Sequence, residues 1–437
     1  MKQKLSRNSL INCLTKSVKA IPDHRLGNNL IYSFSEAVSF AFSCFYLQQP
    51  SFLRHEKSLQ KKIYRKNTKH LFPRQLSKAQ TCRNILDIID PVYFEPAFDK
   101  VFSLLDRSGI LRELYISKEC GLLLAGDGVD NFYSTTINCA NCSVCRHSKD
   151  TEEEWPSYAH KIFTVNIVHP TKNIVLSLQP EFITPQDGNE KQDCERSAAR
   201  RWMQKFRRTH HLVKATLLVD ALHCNQSFFI DAIEHNFHIT AVCKHGSNPF
   251  FLDWTEDARK GDDLCVVNEQ VKKNGRFHTV QYEFLEKVPL RDSNDAIYAT
   301  YISMIEIDEA SGKKVRYEYA TTHKITKENV RAHCLAARKR WKTENEGHNT
   351  LKNQGYRFSH NYGHGDEHLS SVLSTLILFV YLVHSTLELI GQDPLGRLLE
   401  LDTRQECFAL MRSLLRALIF TDWDMLYLAM LRSLDTS

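Results

Sequence analysis

GLLLAGDGVDNF, residues 121–132, and KATLLVD, residues 214–220, are the stretches on which the fold turns. Gly121–Ala125 and Lys214–Val219 are short apolar runs, the first followed by Gly126-Asp127 and the second directly by Asp220. Runs of this length rich in Leu and Val, bounded by turn residues, read as buried strands. His160–Val168 and Asn173–Leu178 are two further β-rich runs about a turn containing Pro170. Asn189–Thr209 reads as a helix with Trp202 and Phe206 on one side, Gln226–His235 as a second helix, and Phe237–Val242 as another strand. Three strands, a helix, a strand, a helix and a strand describe an α/β layer with a mixed sheet.

The pattern changes on either side. Leu264–Lys273, Arg276–Leu285, Ala296–Ile307 and Lys313–Thr322 are β-rich, with hairpin signals at Asn274-Gly275 and Ser311-Gly312, and predict an all-β insertion. Thr326 is expected to cap one helix running to about Asn353. Val372–Val383 is the longest apolar run; it falls short of the ~18 residues of a membrane span, so it predicts a buried core helix and no membrane association. Leu30–Leu47 predicts another core helix, broken by Pro50. The expected divisions are 1–118 (basic, helical), 119–262 (α/β, first part), 263–322 (β-rich insertion), 323–392 (α/β, second part) and 393–437 (helical tail).

Composition narrows the class. Of 437 residues, 42% are hydrophobic and 25% charged, while Gly (16) and Pro (12) are scarce, which excludes collagen-like and wholly disordered chains. Thirteen Cys, with no apolar stretch after Lys2, Lys4 and Arg7, predict a reducing cytosol and no secretory signal. The net charge of +6 is uneven: residues 1–80 hold fifteen Lys and Arg against three Asp and Glu, so the rest carries a net negative charge. Arg54–Lys78 alone has nine basic residues to one Glu, interleaved with Leu59, Ile63, Tyr64, Leu71 and Phe72. An amphipathic helix here would set Lys61, Lys62, Arg65 and Lys66 against a DNA backbone, or would simply present a solvated charged face.

Asp127 and Asp220 stand where open α/β sheets place their chemistry, at the carboxyl ends of strands, although an aspartate there also caps helices. Paired carboxylates hold Mg²⁺ through hard oxygen ligands, and a third is needed for a two-metal site. Arg340, Glu344, His348 and Lys352 recur every four residues and so share one helix face. That face is either a ladder of surface ion pairs or a device bringing Glu344 to a metal, with Arg340 and Lys352 on phosphates and Trp341 stacking on a base. Cys139-x-x-Cys142-x-x-Cys145-x-His147 has zinc-knuckle spacing in its first pair, with His147 or His160 completing four ligands; the alternative is free thiols in a loop. His360, His364 and His368 lie among glycines and are expected to serve structure or DNA contact rather than a metal. Asp187, Asp193 and Glu195 read as helix caps.

GDGVDNFYSTTINCANC (126–142), PEFITPQDGNEKQDCERSAARRW (180–202), LLVDALHCN (217–225) and RWKTENEGHNTLKNQGYRFSHNYGHG (340–365) occur in that order and resemble bacterial insertion-sequence DDE transposases. The resembling subgroup has a β-rich insertion before the catalytic glutamate and a Tyr-Arg-Glu-Lys-type signature. The resemblance implies a ribonuclease-H-like mixed sheet with an all-β insertion and helical N- and C-terminal regions. It implies Asp127, Asp220 and Glu344 as catalytic ligands of two Mg²⁺ (or Mn²⁺) ions, with Arg340 and Lys352 from the signature. Ala337 stands in place of the signature tyrosine, Lys352 lies one residue further on than usual, and Glu346 competes with Glu344. The implied activity is cleavage of transposon ends and their joining to target DNA, by a homodimer on double-stranded DNA in the bacterial cytoplasm, at the nucleoid. Two other readings stay open: a catalytically inactive DNA-binding descendant, and a metal-dependent DNA nuclease that does not join strands.

Overall fold

The computed structural model describes residues 5–25, 30–76, 78–148, 151, 153–185, 193–273, 276–309, 311–390 and 394–434. The chain forms a mixed α/β structure, with one large sheet flanked by helices. Among the described residues eleven strands are formed: β1 (Leu122–Ser134), β2 (Ser143–His147), β3 (Trp155–Val168), β4 (Val175–Ser177), β5 (Glu181–Ile183), β6 (Ala215–Val219), β7 (His238–Val242), β8 (Cys265–Lys273), β9 (Arg276–Pro289), β10 (Tyr298–Asp308) and β11 (Lys314–Thr321). Their order is β2-β3-β1-β6-β7-β11-β10-β9-β8, with β4 and β5 also on β3. β1 runs antiparallel to β3 and parallel to β6; β6 is parallel to β7. The parallel strands are linked through helices Glu195–Thr209 and Gln226–Glu234, which cover the sheet with Trp202, Phe206, Phe228 and Phe229.

The insertion does not stand apart from this sheet. β11 pairs antiparallel with β7, Thr321 opposite Thr240, and β10, β9 and β8 continue outward. Val280, Tyr282, Ile302 and Met304 form a second small core with Val330, Cys334 and Ala337. The insertion therefore seats the start of the helical run that carries Glu344. The Asn274-Gly275 turn signal lies outside the described residues, as do positions 189–192 of the predicted helix, whose described part begins at Glu195.

Two expectations about regularity fail. β1 does not end before Asp127: it continues to Ser134, because β3 is long enough to pair with it throughout. Nor is 326–353 one helix. Thr326 N–H donates to Asn329 Oδ1, the α-helix spans Val330–Ala337, a 3₁₀ turn follows at Arg338–Arg340, and a π-helical turn at Thr343–His348 precedes Asn349–Asn353. Such π turns break the four-residue register and are frequent at functional sites.

The helices at the two ends of the chain form one layer. Leu369–Ile390 is 22 residues long, more than the apolar run alone suggests, and is buried from Leu369 to Leu387. Phe379 meets Phe42 and Phe98, while His384 meets Tyr46 and Phe408. Helix Phe34–Tyr46 is the core helix expected at Leu30–Leu47, opened by a Ser33/Glu36 capping box. Arg54–Lys78 is not one helix but two, Phe52–Leu59 and Lys62–Leu71; Asn67 bonds to Leu415 O and Leu418 O of the C-terminal helices.

Asp87, ending helix Ala79–Asp87, ties the layer together. Its Oδ1 accepts from the N–H groups of Glu367, His368 and Leu369 at 2.9–3.1 Å, and its Oδ2 from Asp366 N–H at 2.9 Å. The free N–H groups of a helix N-terminus are thus capped by a carboxylate 279 or more residues away. Burial works to raise the Asp87 carboxyl, but these four N–H donors outweigh it and hold it below its usual value. Asp87→Ala is expected to cost about 1–2 kcal/mol at pH 7, at the low end for charged hydrogen bonds because the group is half exposed. The carboxylate's contribution is present above about pH 3.8, its ordinary value, and is lost as pH falls through the lower folded value. Urea unfolding at pH 7 and pH 3 should show the two proteins converging in acid.

Candidate functional site

The site forms where the β1–β6 ladder ends. The last parallel pair is Ala125 with Leu218, and Asp127 and Asp220 each lie two residues further on, level across neighbouring strands. Beyond Val219 the chain turns into a short 3₁₀ helix, so Asp220 meets the open edge of β1. Opposite, Thr343 donates to Ala125 O at 3.3 Å and Gly347 sits against Val175, which seats the π turn over β1 and β4.

Arg340 Nη1 stands 2.7 Å from Glu344 Oε1 and 3.7 Å from Asp127 Oδ1. His348 approaches from the same side, its Nδ1 3.6 Å from Asp127 Oδ2 and its Nε2 2.8 Å from Thr164 Oγ1. The Thr164 hydroxyl donates its one proton to Asp127 O, so His348 Nε2 donates and Nδ1 faces Asp127 bare. Burial, with the charges of Lys352 and Arg340, pushes His348 down to about 4, so it is neutral at pH 7.

Asp220 accepts from His223 Nδ1 at 2.8 Å, and His223 Nε2 lies 3.8 Å from Glu195 Oε1. Glu195 is the residue that sequence reasoning missed. It begins helix Glu195–Thr209 and accepts from Gly128 N–H; a side chain at Gly128 would collide with its carboxylate. Glu195, Asp220 and His223 bring ligand atoms within 4.8 Å of one another. Glu195 Oε1 and His223 Nε2 are buried with no hydrogen-bond partner among the described residues. The only sequence signal was the glycine after Asp127, since Gly128 leaves space for an acidic neighbour.

The charges oppose one another. Burial raises the Asp127 carboxyl to about 7, with Glu344 adding to the effect, Arg340 opposing it, and Glu195 and Asp220 adding further. Burial also raises Glu195. For Asp220, burial acts upward, but the His223 hydrogen bond and charge and the Arg340 charge outweigh it, leaving the carboxyl below its usual value. Four carboxylates thus face one guanidinium and neutral His348. Glu195 Oε1 is the one of these oxygens that is buried without a hydrogen-bond partner among the described residues, and hard oxygen donors suit Mg²⁺ or Mn²⁺.

Other predicted residues fall as follows. Glu346 turns away from Asp127 to Lys342, at 3.2 Å. Trp341 is half-buried in a groove that Lys244, His245, Arg338 and Arg340 also line. Lys352 is exposed, carried out by the π turn. Lys61, Lys62, Arg65 and Lys66 are exposed on the N-terminal helices, with no ion-pair partner among the described residues.

The cysteine cluster differs from expectation. Cys139 and Cys142 meet His160 and His364, not Cys145 and His147. Those last two lie on β2: Cys145 is exposed, and His147 bonds to Ser157 and stacks on Trp155. Alternation along the strand carries them out of reach of the loop thiols.

With no metal bound, Asp127 takes up a proton as the protein folds at intermediate pH, since its folded value near 7 exceeds its ordinary 3.8. Stability therefore falls as pH rises from about 4 to 7, and the full penalty remains above. Asp127→Asn is expected to stabilise the metal-free protein by about 2 kcal/mol at pH 8 and by nothing measurable near pH 4. Urea unfolding in chelator tests this; an equal gain at both pH values would contradict the charge crowding.

No model of a known protein family matches this chain, and no curated protein matches it, so the functional reading rests on the geometry of the site.

Proposed function

We propose that the chain is a DDE-type DNA transposase with a ribonuclease-H-like core, cleaving transposon ends and joining them to target DNA by two-metal-ion phosphoryl transfer. One observation carries the reading: Asp127 and Asp220 lie level on adjacent parallel strands, and Arg340, from the helical run that carries Glu344, reaches both Glu344 and Asp127. The strand order supports it. A long antiparallel pair, β1 and β3, is extended on its far side by short strands and on its near side by two parallel strands with helical crossovers. The β8–β11 strands enter between Asp220 and Glu344, where the resembling subgroup has its insertion.

Asp127, Asp220 and Glu344 would hold the cations, with Glu195 as an additional carboxylate. When bound, two Mg²⁺ (or Mn²⁺) ions supply activation of the attacking hydroxyl and neutralisation of the leaving oxygen in an in-line displacement. His223 keeps Asp220 ionised and oriented. Asp127 gives up its proton on taking a cation, so cation affinity should fall below about pH 7. Arg340 brings positive charge to the phosphate approaching this edge. Trp341 and the basic groove beside it offer a stacking face and backbone contacts. The exposed basic set at Lys61, Lys62, Arg65 and Lys66 gives a second contact for duplex DNA, and two DNA ends call for a homodimer.

Asp220→Asn is expected to reduce Mg²⁺-dependent strand cleavage at least about a thousandfold while gel-shift binding of the same duplex persists. Cleavage at the wild-type rate would overturn the assignment. Cleavage by the wild type without joining would favour the nuclease reading, and binding without cleavage the inactive descendant.

Replacing Lys61, Lys62, Arg65 and Lys66 together by Ala should weaken DNA binding and lower the slope of log affinity against log salt by ~0.9 for each phosphate no longer neutralised. Unchanged affinity and slope would leave these residues a solvated face. Substitution is the proper test, because deleting 1–80 would remove core residues such as Phe42, Phe45 and Tyr64.

A further inference from the structure

Cys139 and Cys142 come from the connection between β1 and β2, His160 from β3, and His364 from the segment between the Glu344 run and helix Leu369–Ile390. The two sulfurs are 3.9 Å apart. Cys139 Sγ lies 3.4 Å from His160 Nε2, and Cys142 Sγ lies 3.4 Å from His364 Nε2. The two Nε2 atoms are 3.1 Å apart.

These separations have a common explanation. A tetrahedron with Zn–S near 2.3 Å and Zn–N near 2.05 Å has edges of about 3.8 Å between sulfurs, about 3.6 Å from sulfur to nitrogen, and about 3.3 Å between nitrogens. The four separations above match these edges to within a few tenths of an ångström, and the remaining two are below 4.8 Å. A disulfide is not formed, since its sulfurs would stand about 2.05 Å apart. His364 Nδ1 donates to Gly365 O at 2.8 Å, so Nε2 turns a lone pair toward the thiols, the usual orientation of a zinc-bound imidazole. Gly363 and Gly365 have φ of +151° and +73°, and a side chain at Gly365 would collide with Asp87 and Leu369. The glycines that mark this stretch as a loop are thus what let it turn His364 inward. Cys142 and His160 are buried, and protein atoms fill all four positions, as in structural rather than catalytic zinc sites.

We propose that Cys139, Cys142, His160 and His364 bind one structural Zn²⁺, which pins the segment following the Glu344 run to the antiparallel strand pair that carries Asp127. The ligands lie far apart in sequence, yet the site ties β1 and β3 directly to the entry of the core helix. Asn141 Nδ2, between the two cysteines, also donates to Glu367 O at 2.6 Å, so loop and segment already touch. This site is separate from the carboxylates, and the assignment does not depend on the proposed activity.

The test uses the full chain, expressed in zinc-supplemented medium and purified without chelators. Metal analysis should find about one equivalent of zinc. X-ray absorption should give two sulfur and two nitrogen neighbours, and Co²⁺ exchange should produce thiolate charge-transfer bands. Cys142→Ser and His364→Ala should each lose most of the zinc, while Cys145→Ser and His147→Ala should keep it. Removing zinc from the wild type with a chelator should speed amide exchange at 361–369 at least about tenfold and leave β8–β11 unchanged. Metal-free wild type even after reconstitution with ZnCl₂ would overturn the site. So would three sulfur neighbours, or zinc loss in Cys145→Ser. Unchanged exchange at 361–369 on zinc removal would overturn the pinning role. The absorption and exchange measurements use wild type alone, so they decide the matter even where a variant fails to fold.

Discussion

The parallel ladder between β1 and β6 stops at Ala125 and Leu218, and the site is built on that stop. Up to that point both strands have buried neighbours and paired backbone groups, and their side chains are Leu, Ala, Thr and Val. Past it β6 ends, while β1 goes on with β3 as its partner among the described residues. On that side of β1, Asp127 and Asp220 stand partly buried, so their carboxylates keep low-dielectric neighbours. The π turn is bonded to β1 through Thr343, and Glu195 accepts from Gly128 N–H.

The contending forces there are burial and like charge. Four acidic groups share a space with one guanidinium, and the protein divides the load unequally. Asp220 has its own histidine, Glu344 takes Arg340 at close range, and Asp127, nearest the centre, is left to hold a proton. Such an arrangement is unfavourable for the isolated fold, and a bound cation would relieve it. Stability sacrificed at one spot is a common mark of a working site.

Much of this was legible from sequence because apolar periodicity reports burial directly. GLLLA, KATLLV and the 372–383 run announced the central strands and the core helix, and the acidic residues after the two strands announced the candidate site. What periodicity does not encode is where neighbouring strands stop. β1 looked as though it ended at Gly126 because Gly, Asp and Asn weaken the strand signal, whereas β3 holds it through Ser134. The π turn was invisible because Arg340, Glu344 and His348 fit an ordinary helix equally well. Glu195 and His364 were missed for a related reason: each acts on residues far away in sequence, through backbone turns made possible by glycines. The near spacing of Cys145 and His147 drew attention, but a strand's alternation removed them from the cluster.

Helix Leu369–Ile390 lies at the centre of a layer whose other members come from both ends of the chain. Synthesis proceeds from the N-terminus, so Phe42, Tyr46 and Phe98 emerge long before Phe379 and His384, their eventual neighbours. Asp87 likewise waits for the N–H groups of 366–369. The N-terminal helices therefore have no complete core to join until most of the chain has been made. In this protein the late stage of translation, rather than any local element, sets the moment at which the helical layer can close.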